Sequence, residues 1–170
     1  EKRPIHIISA NLHSILNTLF GYAALKDKTF DSVETLAVET SQDKTGKLQD
    51  KIKSFALDHG MSVIHDHSGT NLSVQIFDLD KLDTEHMCPE LSKVNLQDER
   101  PVLVVMDYAF GEQAFECMDE LLKPLEKEEN HYFNIRSVSI IGKAGILTGD
   151  KGDIMIPTAH VFEGTADNYP

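Results

Sequence analysis

Val102-Leu103-Val104-Val105-Met106 is five apolar residues without a polar break, three of them β-branched. A strand with one wet face alternates apolar and polar residues, whereas an unbroken run belongs to a strand covered on both sides, as in the parallel sheets of α/β proteins. After Gly111, residues Ala114, Cys117, Met118, Leu121, Leu122 and Leu125 recur at helical spacing on one stripe, and Pro124 is placed to kink or end that helix. Val138-Ser139-Ile140-Ile141 then returns to β-forming residues. Strand, helix and strand in this order form a crossover unit, right-handed as a rule. The expected fold is therefore α/β, with a mixed, centrally parallel sheet and helices on both faces. Gly142-Lys143-Ala144-Gly145 falls at the carboxyl end of the second strand, the edge at which open α/β sheets bind ligands.

The first hundred residues are less regular. Asn11 to Lys26 carries Leu12, Ile15, Leu16, Leu19, Phe20, Ala23 and Ala24 on one helical face. Ser32 to Val38 mixes Val, Thr and Leu with Glu and is expected to be a strand of imperfect alternation. Lys47 to Asp58 has Leu48, Ile52, Phe55 and Ala56 on one side and His59-Gly60 as its stop, which predicts a helix. Met61 to His65 and Leu72 to Phe77 flank a polar turn and predict a hairpin. Residues 78–100, polar and carrying Pro89, read as loop with one helical turn. Near the other end, Gly149 to Asp153 is a tight connection leading to a further apolar run, Ile154-Met155-Ile156. The whole suits one α/β domain, with no repeat or low-complexity tract.

Composition narrows the function. The 170 residues hold 16 Lys+Arg against 28 Asp+Glu, a formal charge of −12. Such a surface repels nucleic-acid phosphates, and no basic stripe interleaved with aromatics reverses this locally, so no polynucleotide partner is expected. No apolar run approaches the length of a membrane span, so no membrane partner is expected either. Cys88 and Cys117 lie too far apart for a CxxC pair, so a reducing, cytoplasmic location is expected. The chain opens on Glu rather than Met and closes on Pro170 straight after a polar loop, so it is expected to be a piece of a longer one.

Several short patterns have plainer explanations than chemistry. His65-Asp66-His67 puts two imidazoles on one face of an extended segment, a geometry that holds a metal only if a third ligand arrives from elsewhere. Asp43-Lys44-Thr45-Gly46 and Leu147-Thr148-Gly149-Asp150 share four letters each with loops of cation-pumping ATPases, but a helix-initiating Asp and a β-turn account for both. There is no Walker loop, no Gly-x-Gly-x-x-Gly fingerprint and no nucleophile elbow. No metal or cofactor is expected.

The strongest constellation runs Ile140-Ile141-Gly142-Lys143-Ala144-Gly145-Ile146-Leu147, then Lys151-Gly152-Asp153-Ile154-Met155-Ile156-Pro157-Thr158-Ala159-His160, then Phe162-Glu163-Gly164-Thr165-Ala166-Asp167-Asn168-Tyr169. It resembles the nucleoside phosphorylase and nucleosidase superfamily, and most closely the AMP nucleosidase-like branch. The resemblance covers residues 102–169, with Asp107-Tyr108-Ala109-Phe110-Gly111 where that family has Gly-Met-Gly; residues 1–100 stand as a divergent N-terminal half. It implies a nucleoside phosphorylase-like fold, with a strand-helix-strand-strand core over 101–170 whose last strand follows Gly152-Asp153 through Ile154-Met155-Ile156 to Pro157, and a small-molecule purine nucleoside or nucleotide as ligand. It also implies a homo-oligomer and, if the chain is active, N-glycosidic bond cleavage by a nucleosidase or phosphorylase. The ligand-binding residues it implies are Gly142, Lys143, Ala144, Gly145, Glu163, Gly164, Thr165, Asp167 and Asn168; by charge alone, Arg136 or His160 would assist Lys143 if they face the same edge. The family's catalytic carboxylates lie beyond Pro170, so no catalytic residue is assigned and this chain alone is expected to be inactive. A non-catalytic nucleotide-binding or oligomerisation domain is the alternative. Residue chemistry agrees on one point: Gly142 and Gly145 leave the backbone open to a flat base or sugar and tolerate unusual dihedrals, and Lys143 offers a charge for a phosphate.

Overall fold

The computed structural model of the chain describes residues 3–67, 69–94, 99–125, 131–145, 147–158, 160–161 and 168–169. Five strands form the main sheet: β1 (Ile5–Ser9), β2 (Met61–Ile64), β3 (Val74–Asp78), β4 (Val102–Met106) and β5 (Ile135–Ile140), in the order β2-β3-β4-β1-β5. Strands β4, β1 and β5 are parallel, while β2 and β3 join antiparallel, so the sheet is mixed as expected. A separate ribbon pairs β6 (His160–Val161) with β7 (Asn168–Tyr169). The helices are α1 (Leu12–Ala24), α2 (Val33–Gln42), α3 (Lys47–Asp58) and α4 (Gly111–Leu122), and Leu79–Lys81 makes a 3₁₀ turn.

The place between β4 and β5 falls to β1, which the sequence analysis did not assign. Ile5 to Ser9 pairs with Val102 to Met106 on one side and with Ile135 to Ile140 on the other. Residues 1–100 are thus no appendage; they supply three of the five strands of the same sheet.

Because strand side chains alternate, the register sorts the sheet into two faces. Met61, Phe77 and Val105 are buried on one face against Leu16, Leu19 and Phe20 of α1 and Ile52 and Ala56 of α3. The rings of Phe20 and Phe77 lie 5.8 Å apart, between α1 and the sheet. Ile7, Val74, Ile76, Val104 and Met106 point to the opposite face, where Cys117 and Leu121 of α4 share a cavity with them. Helices therefore stand on both sides of the sheet. Of the predicted α4 stripe, Cys117 and Leu121 line that cavity, while Leu122 is exposed; the helix closes at Leu122, ahead of Pro124.

Two expectations are corrected. Ser32 to Val38 is not a strand but the start of α2. The Ser32 hydroxyl accepts from the Thr35 backbone N–H at 3.3 Å, and Leu36 and Thr40, four apart, are buried against α1. Leu36 reaches α1 because position 21 is Gly: a Cβ there would come within 2.7 Å of Leu36 Cδ1. A tertiary contact one turn deep outweighs the β-branched bias of Val33 and Thr35. The apolar run Ile154-Met155-Ile156 also forms no strand; its backbone is irregular and its side chains are exposed.

Candidate functional site

Among the described strands, the connectivity makes a topological switch point between β1 and β4, the kind of edge at which open sheets form a crevice. The chain leaves the carboxyl end of β1 for α1 on one face and leaves the neighbouring parallel β4 for α4 on the other. Where adjacent parallel strands send their helices to opposite faces, the loops diverge and leave a gap at the strand ends. The gap is bounded by Ala10 and Asn11 after β1, by Asp107 to Phe110 after β4, and by Ile141 and Gly142 after β5. Antiparallel β2 and β3 bring the two ends of the hairpin connection, His65 and Ser73, to the same edge, since Ile64 pairs with Val74 and Val74 with Met106.

Backbone hydrogen bonds hold these loops together. The Ala10 N–H donates to Met106 O at 3.1 Å, Ile141 N–H to Ser9 O at 2.9 Å, and Asp107 N–H to Ser73 O at 3.0 Å. Asn11 caps α1, its Oδ1 accepting from the N–H groups of His13 and Ser14. Asp107 Oδ1 accepts from the Tyr108 N–H at 2.8 Å. The Tyr108 hydroxyl donates to Ile141 O at 3.0 Å, tying the β4 loop to the end of β5. Its ring lies where a side chain on Gly142 would point: a Cβ there would be 3.6 Å from Tyr108 Cε1. Phe110, 76% exposed, has its ring 6.2 Å from that of Tyr108 and tilted 30° to it.

The structure places some of the sequence-derived site residues. Gly142, Lys143, Ala144 and Gly145 all follow β5 at this edge and all are exposed. Neither glycine has a positive φ, so their dihedrals do not require glycine; what they provide is room, against Tyr108 at Gly142 and open space at Gly145. Glu163, Gly164, Thr165 and Asp167 lie outside the described residues, and Asn168 is placed only through its backbone, pairing with Val161 in the ribbon. Arg136 is corrected: it sits at the start of β5, beside the irregularity after the Ile5 and Ile135 pair, at the opposite end of the strand from Gly142. The side chain of His160 lies outside the described residues. Sequence analysis did not pick Asn11, Asp107 or Tyr108 as site residues. The signal for the last two was the departure from Gly-Met-Gly directly after β4; Asn11 became visible only once β1 was placed.

Other candidates resolve structurally. His65-Asp66-His67 follows β2, with Asp66 Oδ2 accepting from Asn71 N–H at 2.7 Å, and among the described residues no three His, Cys, Asp or Glu side chains cluster as a metal site. Asp43 caps the entry to α3: its oxygens accept from the Thr45 hydroxyl and from the N–H groups of Thr45 and Leu48, and these bonds hold its carboxyl below the usual carboxylate range. Asp150 and Asp153 close the expected turn, with Gly149 at φ 109°. Cys88 and Cys117 are free thiols. The cavity under α4, about 530 Å³, is lined by aliphatic side chains apart from Glu116, Cys117, Glu120 and Phe133. A specific polar ligand needs several convergent polar groups, and that cavity does not supply them. No described helix is long and apolar enough to cross a membrane.

Fold and edge together define an α/β protein of the open-sheet class, with a topological switch point at the carboxyl ends of its parallel strands. The chain belongs to the DUF6909 family of unknown function, whose profile matches residues 38–170. No curated protein and no solved structure matches it.

Proposed function

We propose that the chain is the purine nucleoside- or nucleotide-binding domain of a nucleosidase- or phosphorylase-like protein that cleaves N-glycosidic bonds. The observation that carries this reading is the crevice at the carboxyl ends of β1, β4 and β5, into whose rim the Gly142 to Gly145 segment runs. Three features support it. Gly142 and Gly145 leave the backbone accessible, Lys143 brings a cation to the edge of a protein of charge −12, and Tyr108 and Phe110 offer aromatic faces. A nucleotide has a flat base, a polar sugar and an anion, and these features answer each in turn. The Glu163 to Asn168 loop belongs to the same proposal as a contact for ribose hydroxyls or a base edge.

Self-association is part of this reading, favoured by Val138, Ile140 and Ile141, which are exposed along and just after the edge strand β5. A monomer in sedimentation equilibrium would remove that part. The alternative, a binding domain without chemistry, is separated by experiment. Calorimetric titration with AMP, adenosine, adenine and ribose 5-phosphate, followed by an assay for released base, is expected to show binding. Binding without base release assigns a ligand-holding domain, base release assigns an enzyme, and absence of binding by all four ligands overturns the proposal.

A further inference from the structure

Tyr108 and Phe110 are two aromatic side chains on the loop leaving β4, at the carboxyl edge of the sheet, and they are held in opposite ways. Tyr108 is fixed: its hydroxyl donates to Ile141 O at 3.0 Å, and its ring lies over the position that Gly142 leaves without a side chain. Phe110 is 76% exposed at the N-cap position of α4 and makes no capping bond. A phenylalanine ring left in water at a helix start forgoes the hydrophobic gain of burial and replaces the Ser, Thr, Asp or Asn that would stabilise that turn. The two rings are 6.2 Å apart and tilted 30°, within the range at which aromatic rings support each other, so Tyr108 backs a Phe110 ring that stays largely exposed.

We propose that Phe110, backed by Tyr108, is the stacking platform for the heteroaromatic base of the ligand, with the sugar and any phosphate directed toward Gly142 and Lys143. This rests on the nucleoside-binding reading and adds to it an orientation and a residue that determines it. A flat π-system gains from stacking on an exposed ring; a sugar phosphate does not. Tyr108, anchored through its hydroxyl, holds its ring beside Phe110, and Gly142 leaves room next to it.

The test compares wild type with Phe110→Ala and Phe110→Tyr, using adenosine by calorimetry and ribose 5-phosphate by competition. The exposure of Phe110 predicts that both variants keep the wild-type thermal midpoint. Phe110→Ala is expected to weaken adenosine binding roughly tenfold or more, the usual effect of removing a stacked ring, with Phe110→Tyr restoring it. Affinity for ribose 5-phosphate is expected to stay unchanged in both. If Phe110→Ala binds adenosine as tightly as wild type, or loses both ligands equally, the stacking role is overturned while nucleoside binding stands. If wild type binds neither ligand, the site reading falls and the platform with it.

Discussion

At Thr40 a single hydroxyl joins two helices. It donates to the carbonyls of Leu36 and Ala37 on its own helix and accepts from Asn17 Nδ2 of α1 at 3.1 Å, and Asn17 Oδ1 in turn faces Gln49 of α3 at 3.4 Å. Asn17 and Thr40 are both buried. Thr40→Val keeps the shape and leaves the Asn17 amide without its partner, so a loss of about 1–3 kcal/mol in urea unfolding is expected. Gly145 poses the opposite case. Nothing lies within 4 Å of a Cβ built there, so Gly145→Val is expected to unfold at the wild-type urea midpoint. If the Gly142 to Gly145 segment forms a wall of the nucleoside site, the same variant loses calorimetric AMP binding. Wild-type affinity in the folded variant would remove Gly145 from the site.

At the scale of elements, α1 determines both the core and the rim of the crevice. Its apolar face carries Leu16, Leu19 and Phe20 onto the sheet, and its first turn opens at the end of β1. Asn11 satisfies two of the N–H groups that a helix start leaves without partners. Asn11→Ala is expected to cost about 1 kcal/mol in chemical denaturation, with the slope of the transition unchanged because the buried surface is the same. The fates of 32–38 and 154–156 show how a local pattern can mislead. Val33 and Thr35 are β-formers, yet the spacing of Leu36 and Thr40 and the cap at Ser32 answer to α1. Ile154 to Ile156 has a strand's composition and no strand partner among the described residues. A strand is completed only by a neighbour, whereas a helix satisfies its own backbone.

Across the whole molecule, a charge cluster fastens the amino-terminal edge of the sheet, opposite the crevice. Arg3, just before β1, bonds Asp78 at the end of β3 at 2.7 Å, and Arg100, just before β4, bonds Asp80. The Arg3 guanidinium holds the Asp78 carboxyl below its ordinary range, and Arg100 does the same for Asp80. A carboxylate with a depressed folded-state pKa contributes stability above its unfolded value and loses it as pH falls through the folded value. Stability is therefore expected to decline below about pH 4, the ordinary Asp range. Asp78→Asn is expected to lower the urea midpoint near neutral pH and to flatten the decline in acid; equal pH slopes for variant and wild type would remove this account.

Sequence by itself determined α1, α3, the β2–β3 hairpin, and the β4–α4–β5 order, because each is written in a local period, a cap or a turn. It also located the Gly142 to Gly145 segment at a strand's carboxyl end. Only the tertiary structure decided that Ile5 to Ser9 lies between β4 and β5, that 33–42 is helical, and that the helices after β1 and β4 go to opposite faces. It alone brought Asp107, Tyr108 and Phe110 beside Gly142 and sent Arg136 to the far end of β5. Register and pairing depend on residues distant in the chain, and a five-residue strand such as β1 carries too few positions to declare its neighbours.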